Sequence, residues 1–307
     1  MTVRPYLGVI AALMLLTGCT ATAGDITPNA VPAPELREPR SGDLLYVASY
    51  AGRTVNVYDY HTREQVQTLA GFTDPAGLCA DAAGNVYVTD GYGYDIVEYH
   101  HGATKPARYL ADPYGFPWNC AVNPVNGDLA VANGVALSGG QYGIMIYKKA
   151  RGVPKLYVDS AIPFYFDCAY DTDGNLFFDG ESEGASEALE AELTAAGKQF
   201  VNLTLEPNIA YAGGVAWWHD RLAIADQEND DILRYRIVGS AGKLSGRTPF
   251  EDASAVGAFF IDGNVVIGAD YDADDLGAWP FPKGGFPRYT LGVETPQGVV
   301  VSFGTRR

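Results

Sequence analysis

A segment made of one strand, a tight turn and a second strand recurs along the chain at intervals of about 40 to 50 residues. Each copy joins a short apolar run to a run of β-branched or aromatic residues through a turn of Asp, Asn and Gly, the pattern of a β-hairpin. The copies are Gly77–Asp90, Trp118–Asn133, Phe166–Asp179, Gly214–Asp226 and Gly257–Asp270. Repeats of this length are typical of propeller blades, so the sequence predicts an all-β propeller.

A second hairpin follows the first in each repeat, as the similarity of Ile96–Tyr109 to Ile144–Tyr157 indicates. Two hairpins supply four strands, which make one blade. The segment from Ser186 to Gly197 has a helix-forming composition, but it lies where the fourth blade needs its third strand. Because tertiary pairing can override local propensity, we predict a strand there, followed by Phe200–Thr204 as the fourth strand.

The ends of the globular part determine the blade count. The globular part begins with Leu44–Ala48, which matches the second strand of the repeat, so no first strand precedes it. Thr295–Ser302 resembles Asp74–Asp81, which contains the first strand of the next repeat, and can supply the strand that is missing. We therefore predict a six-bladed β-propeller, residues 43–307, in which the C-terminal strand completes blade 1 and pairs the open sheet edges. The predicted blades begin near Leu44, Asp74, Pro117, Tyr165, Tyr211 and Ala255.

The segments Pro75–Leu78 and Gly84–Asp90 resemble motifs of the NHL-repeat and gluconolactonase-like propellers. The resemblance covers about Asp43 to Phe303 and implies a fold rather than a reaction. Gluconolactonase-like enzymes hold a divalent metal over the channel with carboxylates and amides just ahead of the inner strands. The corresponding residues here are Ala76, Pro117, Tyr165, Gly213 and Gln297, with Asn119 and Asp167 two residues further along in their blades. Only Gln297 among the first five offers a carboxylate or amide oxygen, which ranks lactonase chemistry below binding.

The first 18 residues predict a lipoprotein signal peptide. Arg4 precedes the apolar run Leu7–Leu16, which is too short to span a bilayer. The end of this run, Leu16–Cys19, resembles the bacterial lipobox, which implies that Cys19 is lipidated and anchors the chain to a membrane. The alternative is an ordinary signal peptide with a stray cysteine.

Residues 19–42 predict a flexible tether, because they contain four prolines and no apolar periodicity. The residue after the lipobox cysteine is Thr20 and not aspartate. In lipoproteins sorted as in enterobacteria, a residue other than aspartate at this position favours the outer membrane. The resemblance therefore implies an anchor in the bacterial cell envelope, in the outer membrane facing the periplasm or at the cell surface.

Three further cysteines, Cys79, Cys120 and Cys168, occupy one position of the repeat when the copies are aligned on them. Equivalent positions point in the same rotational sense, so each is expected to face a different blade interface. We predict three buried free thiols.

The sequence contains no phosphate-binding glycine loop, GxSxG elbow, HExxH pair or CxxC pair. The segment Asp270–Asp275 resembles the start of a calcium loop but lacks its glycine, and Phe281 stands in place of the final glutamate. Asp90 and Asp226 match Asp270 in other blades, which favours a turn-building role and leaves calcium as the alternative. We predict no cofactor.

The formal net charge of −16 argues against nucleic acid as a partner. Acidic residues gather on the links from fourth to first strands and on second-to-third strand turns, which share one face of a propeller. This acidic face includes Asp74, Asp90, Asp112, Asp226 and Asp270, and the opposite, basic face includes Arg63, Lys105, Lys148, Lys149 and Lys283. The tether enters on the basic side, so we expect that side to face the anionic membrane surface.

Aromatic residues also gather on the acidic face, at the predicted mouth of the channel. Rings provide area for stacking, and carboxylates and amides bind hydroxyl or amine groups. The predicted ligand contacts are Tyr114, Trp118, Asn119, Tyr165, Asp167 and Gln297. The alternative is that Phe116, Trp118, Phe164 and Phe166 only pack neighbouring blades together.

The sequence thus favours a membrane-anchored propeller that binds a small molecule, glycan or peptide, or acts as a scaffold for one. The alternative is a metal-dependent lactonase or hydrolase of the gluconolactonase type. A third hypothesis is a component of an envelope protein complex.

Overall fold

The computed structural model describes residues 42–136, 142–182, 187–196 and 199–304. Cys19, the predicted signal peptide and most of the tether lie outside this part. Within it, the structure is built from strands, and the helical residues are a short 3₁₀ turn at Lys148–Ala150. No helix of the described residues has the length and apolar character needed to cross a membrane.

The strands run in chain order as β1 (Leu44–Ser49), β2 (Thr54–Asp59), β3 (Gln65–Ala70), β4 (Pro75–Ala80), β5 (Val86–Asp90), β6 (Asp95–Tyr99), β7 (Arg108–Ala111), β8 (Gly115–Val122), β9 (Leu129–Ala136), β10 (Gly143–Tyr147), β11 (Lys155–Tyr157), β12 (Phe164–Tyr170), β13 (Leu176–Glu181), β14 (Ala188–Leu193), β15 (Phe200–Asn202), β16 (Thr204–Glu206), β17 (Ala212–Trp218), β18 (Arg221–Asp226), β19 (Asp231–Val238), β20 (Ala241–Pro249), β21 (Val256–Asp262), β22 (Val265–Asp270), β23 (Asp275–Pro280), β24 (Tyr289–Gly292) and β25 (Pro296–Ser302).

These strands form six sheets, the blades of a β-propeller, so the predicted fold is confirmed. Blade 1 has the order β25-β1-β2-β3, blade 2 is β4–β7, blade 3 is β8–β11, blade 4 is β12–β15, blade 5 is β17–β20 and blade 6 is β21–β24. The last strand pairs antiparallel with the first, with Leu45 opposite Val301 and Val47 opposite Val299. The C-terminal strand therefore closes the ring as predicted.

The core lies between the blades. Side chains alternate across a strand, so each blade presents one set of apolar residues to the preceding blade and one to the following blade. In β5, Val86 and Val88 pack in the cluster with blade 1, while Tyr87 packs in the cluster with blade 3. Because each blade packs between two neighbouring blades, its inner strands are apolar on both faces.

Blade 4 shows where tertiary pairing overrides propensity. The helix-like segment after residue 186 contains β14, which pairs along its whole length with β13, so the strand prediction is confirmed. The predicted fourth strand, in contrast, is divided. β15 pairs with β14, whereas β16 joins blade 5 and runs parallel to β20. The nine-residue strand β20 is the outermost strand of its own repeat, and β16 covers part of its open edge.

The prediction of three free thiols is wrong, because Cys79 and Cys120 form a disulfide with their Cα atoms 5.6 Å apart. Cys79 lies two residues before the turn residue Asp81, whereas Cys120 lies three residues before Asn123. A one-residue difference reverses the direction of a strand side chain. Cys79 therefore points towards blade 3 and Cys120 towards blade 2, and both lie in one cluster.

Cys168 remains free and buried. Like Cys120, it lies three residues before its turn residue, here Asp171, so it points towards the preceding blade. It packs with residues of blades 3 and 4, where no second cysteine faces it among the described residues.

Both ends of the described chain lie on the basic face. His101, in a third-to-fourth strand turn, contacts the Gly42 carbonyl at 3.0 Å through Nε2 and the Ser302 hydroxyl at 2.7 Å through Nδ1. The Gly304 amide donates to the Asp43 carboxylate at 3.1 Å. These contacts fix the two chain ends beside each other on the side opposite the acidic face.

Candidate functional site

Carboxylates build the acidic face. Asp90, at the end of β5, accepts hydrogen bonds from the backbone amides of Thr73 and Asp74 in the link that precedes its blade. Asp226 and Asp270 occupy the same position in blades 5 and 6, and each accepts two amides from its own preceding link. These aspartates therefore anchor the links, which is the turn-building role that the sequence favoured for Asp270.

Several carboxyls on this face are partly withdrawn from water. Burial and the neighbouring charge of Asp90 raise the pKa of Asp74 to about 6, although Arg53 acts in the opposite direction. Burial also raises the pKa of Asp112 to about 6, against the amides of Tyr114 and Gly115 that donate to it. Burial and Asp90 raise the pKa of Asp95 to about 6. The negative charge of the face therefore falls as the pH falls through 6.

A continuous aromatic row crosses the acidic face from blade 2 to blade 4. It consists of Tyr92, Phe116, Trp118 and Phe166. The ring centroids are 4.9 Å apart between Tyr92 and Phe116, 5.4 Å between Phe116 and Trp118, and 6.1 Å between Trp118 and Phe166. A side chain at Gly91 would collide with the Phe116 ring, so this glycine makes room for the row.

The row is partly open to solvent. Phe116 is buried and packs the blades together, as the alternative interpretation expected. Tyr92 is 60% exposed, and Trp118 and Phe166 are half-buried. Tyr94, in the same turn as Tyr92, and Tyr50 and Tyr271, in other turns of the same face, also have large exposed fractions. The face therefore combines accessible aromatic rings with partly buried carboxylates.

The predicted contacts fall into two groups. Tyr114, Trp118 and Gln297 are half-buried and keep some accessible surface. Tyr114 packs against the apolar cluster between blades 2 and 3, and its amide donates to Asp112 at 2.8 Å. Tyr165 is fully buried, and its hydroxyl bonds to the backbone of Asp159. Its ring and hydroxyl therefore serve the core between blades 3 and 4 and present no surface to a ligand.

Asn119 and Asp167 lie on the inner strands of blades 3 and 4. The Asn119 side-chain oxygen accepts the amide of Cys120 at 2.9 Å. Both carboxylate oxygens of Asp167 are occupied at 2.7 Å, one by the amide of Cys168 and the other by the amide of Val215 in blade 5. Both residues are buried, so their oxygens stabilise the inner strands.

Asp167 belongs to a buried group of carboxyls between blades 4 and 5. Its amide donates to Asp179 at 3.0 Å, and Asp179 and Glu190 each keep one buried oxygen without a partner. Burial raises the pKa of Asp167 to about 7, and burial together with Asp226 raises that of Glu190 to about 7. Burial and the charge of Asp167 raise the pKa of Asp179 well above its usual value. Burial therefore favours the protonated form of Asp179.

The residues at the positions implied by the gluconolactonase resemblance do not fit a metal. Ala76, Pro117 and Gly213 have no ligating side-chain atom, and the buried Tyr165 hydroxyl is bonded to the backbone of Asp159. Gln297 alone offers an amide oxygen. In the described part of the chain, no group of three or more His, Cys, Asp or Glu side chains could hold a metal ion. No catalytic step through a metal follows from these residues.

A cleft that was not predicted from the sequence lies on the basic face between blades 5 and 6. It has a volume of about 340 Å³ and is lined by Trp218, His219, Arg221, Arg234, Ser245 and Pro282. The sequence contained one signal of this cleft. Arg234 lies two residues after Ile232, on the face of β19 that packs against blade 6, where an apolar residue is expected. An arginine at a buried strand position requires partners or a ligand.

Comparison with known proteins supports the fold. No protein-family model matches the chain, and no curated protein matches it in sequence. A chain in the crystal structure of the nidogen/laminin complex is similar at 14% identity, with a TM-score of 0.70 over 86% of this chain and 100% of that chain. A chain of Kuenenia stuttgartiensis hydrazine synthase is similar at 12% identity, with a TM-score of 0.60 over 84% of this chain and 80% of that chain. At these identities the similarity shows the propeller fold alone.

Proposed function

We propose that this protein is a lipid-anchored binding propeller of the bacterial cell envelope, which captures a small molecule, glycan or peptide on its acidic face. The observation that carries the proposal is the aromatic row beside partly buried carboxylates. Exposed rings stack on sugar or apolar surfaces, and carboxylates accept hydrogen bonds from hydroxyl and amine groups. A cationic group could also lie over the ring faces.

The positions of the two chain ends support a ligand site on the acidic face, away from the membrane anchor. Both described ends lie on the basic face, where the Gly42 carbonyl contacts His101 and Gly304 contacts Asp43. A tether that begins there leaves the opposite, acidic face free. The Cys79–Cys120 disulfide also supports export, because disulfides persist mainly in oxidising compartments outside the cytosol.

The proposed ligand class carries hydroxyl or amine groups on a body that can stack. The acidic face has little positive charge to attract an anion, and its aspartates attract amines. If amines dominate the recognition, affinity should fall with added salt, because exposed charges are screened. If hydroxyl groups dominate, affinity should depend only weakly on salt.

The test begins with a screen of oligosaccharides and lysine-containing peptides against the purified protein. Tyr92→Ala and Trp118→Ala should each weaken the binding of a hit at least about tenfold, since each removes a stacking surface. Tyr109→Ala is the matched control, because Tyr109 is 62% exposed in the same blade but lies on the outermost strand β7. Equal affinity of the Tyr92, Trp118 and Tyr109 variants would contradict the proposed site.

A further inference from the structure

The cleft on the basic face has the chemistry of an anion site. Arg234 is only 7% exposed, and no carboxylate of the described residues forms an ion pair with it. Its guanidinium instead donates to neutral acceptors, which are the Thr248 hydroxyl and the carbonyls of Pro282, at 3.1 Å, and Arg247, at 3.5 Å. A guanidinium has five N–H donors, so these three acceptors do not saturate it.

The surroundings keep this cation in place without neutralising it. The guanidinium carbon lies 5.7 Å from the centre of the Trp218 ring and 5.1 Å from that of Phe281. A side chain at Gly246 would collide with the guanidinium, so this glycine leaves space for it. A buried and unpaired charge costs free energy, and an anion in the cleft would offset that cost.

The walls of the cleft extend this charge into a binding surface. Arg221, which is half-buried, adds a second guanidinium, and none of the six lining residues is acidic. The half-buried Trp218 ring, with His219 stacked on it at 4.3 Å, and the exposed Pro282 provide an apolar wall. A volume of about 340 Å³ lies within the range of small-molecule sites.

We propose that this cleft binds a small organic anion, with a phosphate or carboxylate group held by Arg234 and Arg221 and a planar or apolar body against Trp218. Arginine suits this role because its planar fork matches two anionic oxygens. This site is separate from the acidic face, lies on the opposite side of the propeller and has the opposite charge preference.

The same anionic chemistry could come from a free metabolite or from a lipid headgroup, and calorimetry distinguishes the two. Phenyl phosphate and benzoate represent free ligands, inorganic phosphate tests the contribution of the apolar wall, and benzyl alcohol tests the need for charge. Vesicles of phosphatidylglycerol, with phosphatidylcholine vesicles as the control, represent the lipid source. We expect phenyl phosphate to bind more tightly than inorganic phosphate, and benzyl alcohol not to bind.

Arg221→Ala and Trp218→Ala should each weaken phenyl phosphate at least about tenfold, through loss of a charge-assisted hydrogen bond or of the stacking surface. Arg236→Ala is the matched control, because Arg236 is exposed on β19 two residues beyond Arg234 and does not line the cleft. Arg234→Met, which keeps the stem and removes the charge, should abolish binding. If that variant fails to fold, the Arg221 and Trp218 variants still decide the question.

Binding of phenyl phosphate that depends on Arg221 and Trp218, without vesicle binding, would support the site with a free ligand as its source. Vesicle binding that depends on Arg221 but not on Arg236 would support it with a lipid source. The proposal is overturned if phenyl phosphate, benzoate and phosphatidylglycerol vesicles all fail to bind. It is equally overturned if the Arg236 variant loses as much affinity as the Arg221 variant.

Discussion

The disulfide between blades 2 and 3 should make a large contribution to stability. Cys79 and Cys120 are 41 residues apart in sequence. The loop-entropy relation for a closed loop of that length gives about 4 kcal/mol at 25 °C. This is a substantial fraction of the 5 to 15 kcal/mol or so by which folded domains are usually stable. Removal of the bond should therefore lower the urea midpoint strongly.

The assay is equilibrium urea unfolding of the single and double alanine variants of Cys79 and Cys120, and of the wild type after reduction. Either single substitution removes the covalent link completely. All four samples should therefore lose about 4 kcal/mol of unfolding free energy and agree within about 1 kcal/mol. Cys168→Ala is the control, because Cys168 is buried but has no disulfide partner, and reduction should not change its effect.

An unfolding free energy of the double variant within about 1 kcal/mol of the wild type would contradict a stabilising role of the disulfide. The same role would be contradicted if reduction left the urea midpoint of the wild type unchanged, although Ellman titration of the reduced, unfolded mature domain showed three free thiols.

Three further predictions concern anchoring, closure and pH. Cys19→Ala should move the protein from the membrane fraction to the aqueous extract, and firm membrane retention of this variant would contradict lipidation. Truncation after Val293 removes Val299, Val300 and Val301, whose burial stabilises the fold by about 1.5 kcal/mol or more each, so the truncated protein should aggregate. A soluble truncated protein that unfolds cooperatively would contradict ring closure. The pKa of Glu190 is about 7 in the folded chain and 4.5 in the unfolded chain, so between these pH values the folded state binds more protons than the unfolded state. The free energy of unfolding should therefore fall by about 3 kcal/mol as the pH rises from 4.5 to 7. Urea unfolding of Glu190→Gln should lack this part of the pH dependence, and an unchanged pH profile would contradict the assignment.

The fold was predictable because the repeat encodes it at several levels. Each hairpin carries its own turn residues, and the fragment at Thr295–Ser302 matches the strand missing before Leu44. The strand at residues 188–193 was predictable only from its place in the repeat, since its composition favours a helix. The exchange of β16 to blade 5 was not predictable, because no sequence pattern marks which edge a short linking strand will pair with.

The site was less predictable because burial depends on register. Alignment on the cysteines placed Cys79 and Cys120 on the same side of their strands, whereas alignment on the turn residues Asp81 and Asn123 would have placed them on facing sides. Tyr165 was expected at the channel mouth, but it points into the core between blades 3 and 4. The cleft around Arg234 depends on two blades meeting side by side, so the sequence marks only one of its residues, the arginine at a strand position where an apolar residue is expected.

The central claim is that ligand is held on the acidic face by the aromatic row. Hydrogen–deuterium exchange of the wild type, with and without the oligosaccharide or peptide found by the screen, tests it most directly. We predict slower exchange in residues 90–95 and 112–118, which carry Tyr92, Tyr114 and Trp118, and no change in residues 100–103 and 148–152 on the basic face. Slower exchange confined to the basic-face segments, with residues 90–95 and 112–118 unchanged, would contradict it.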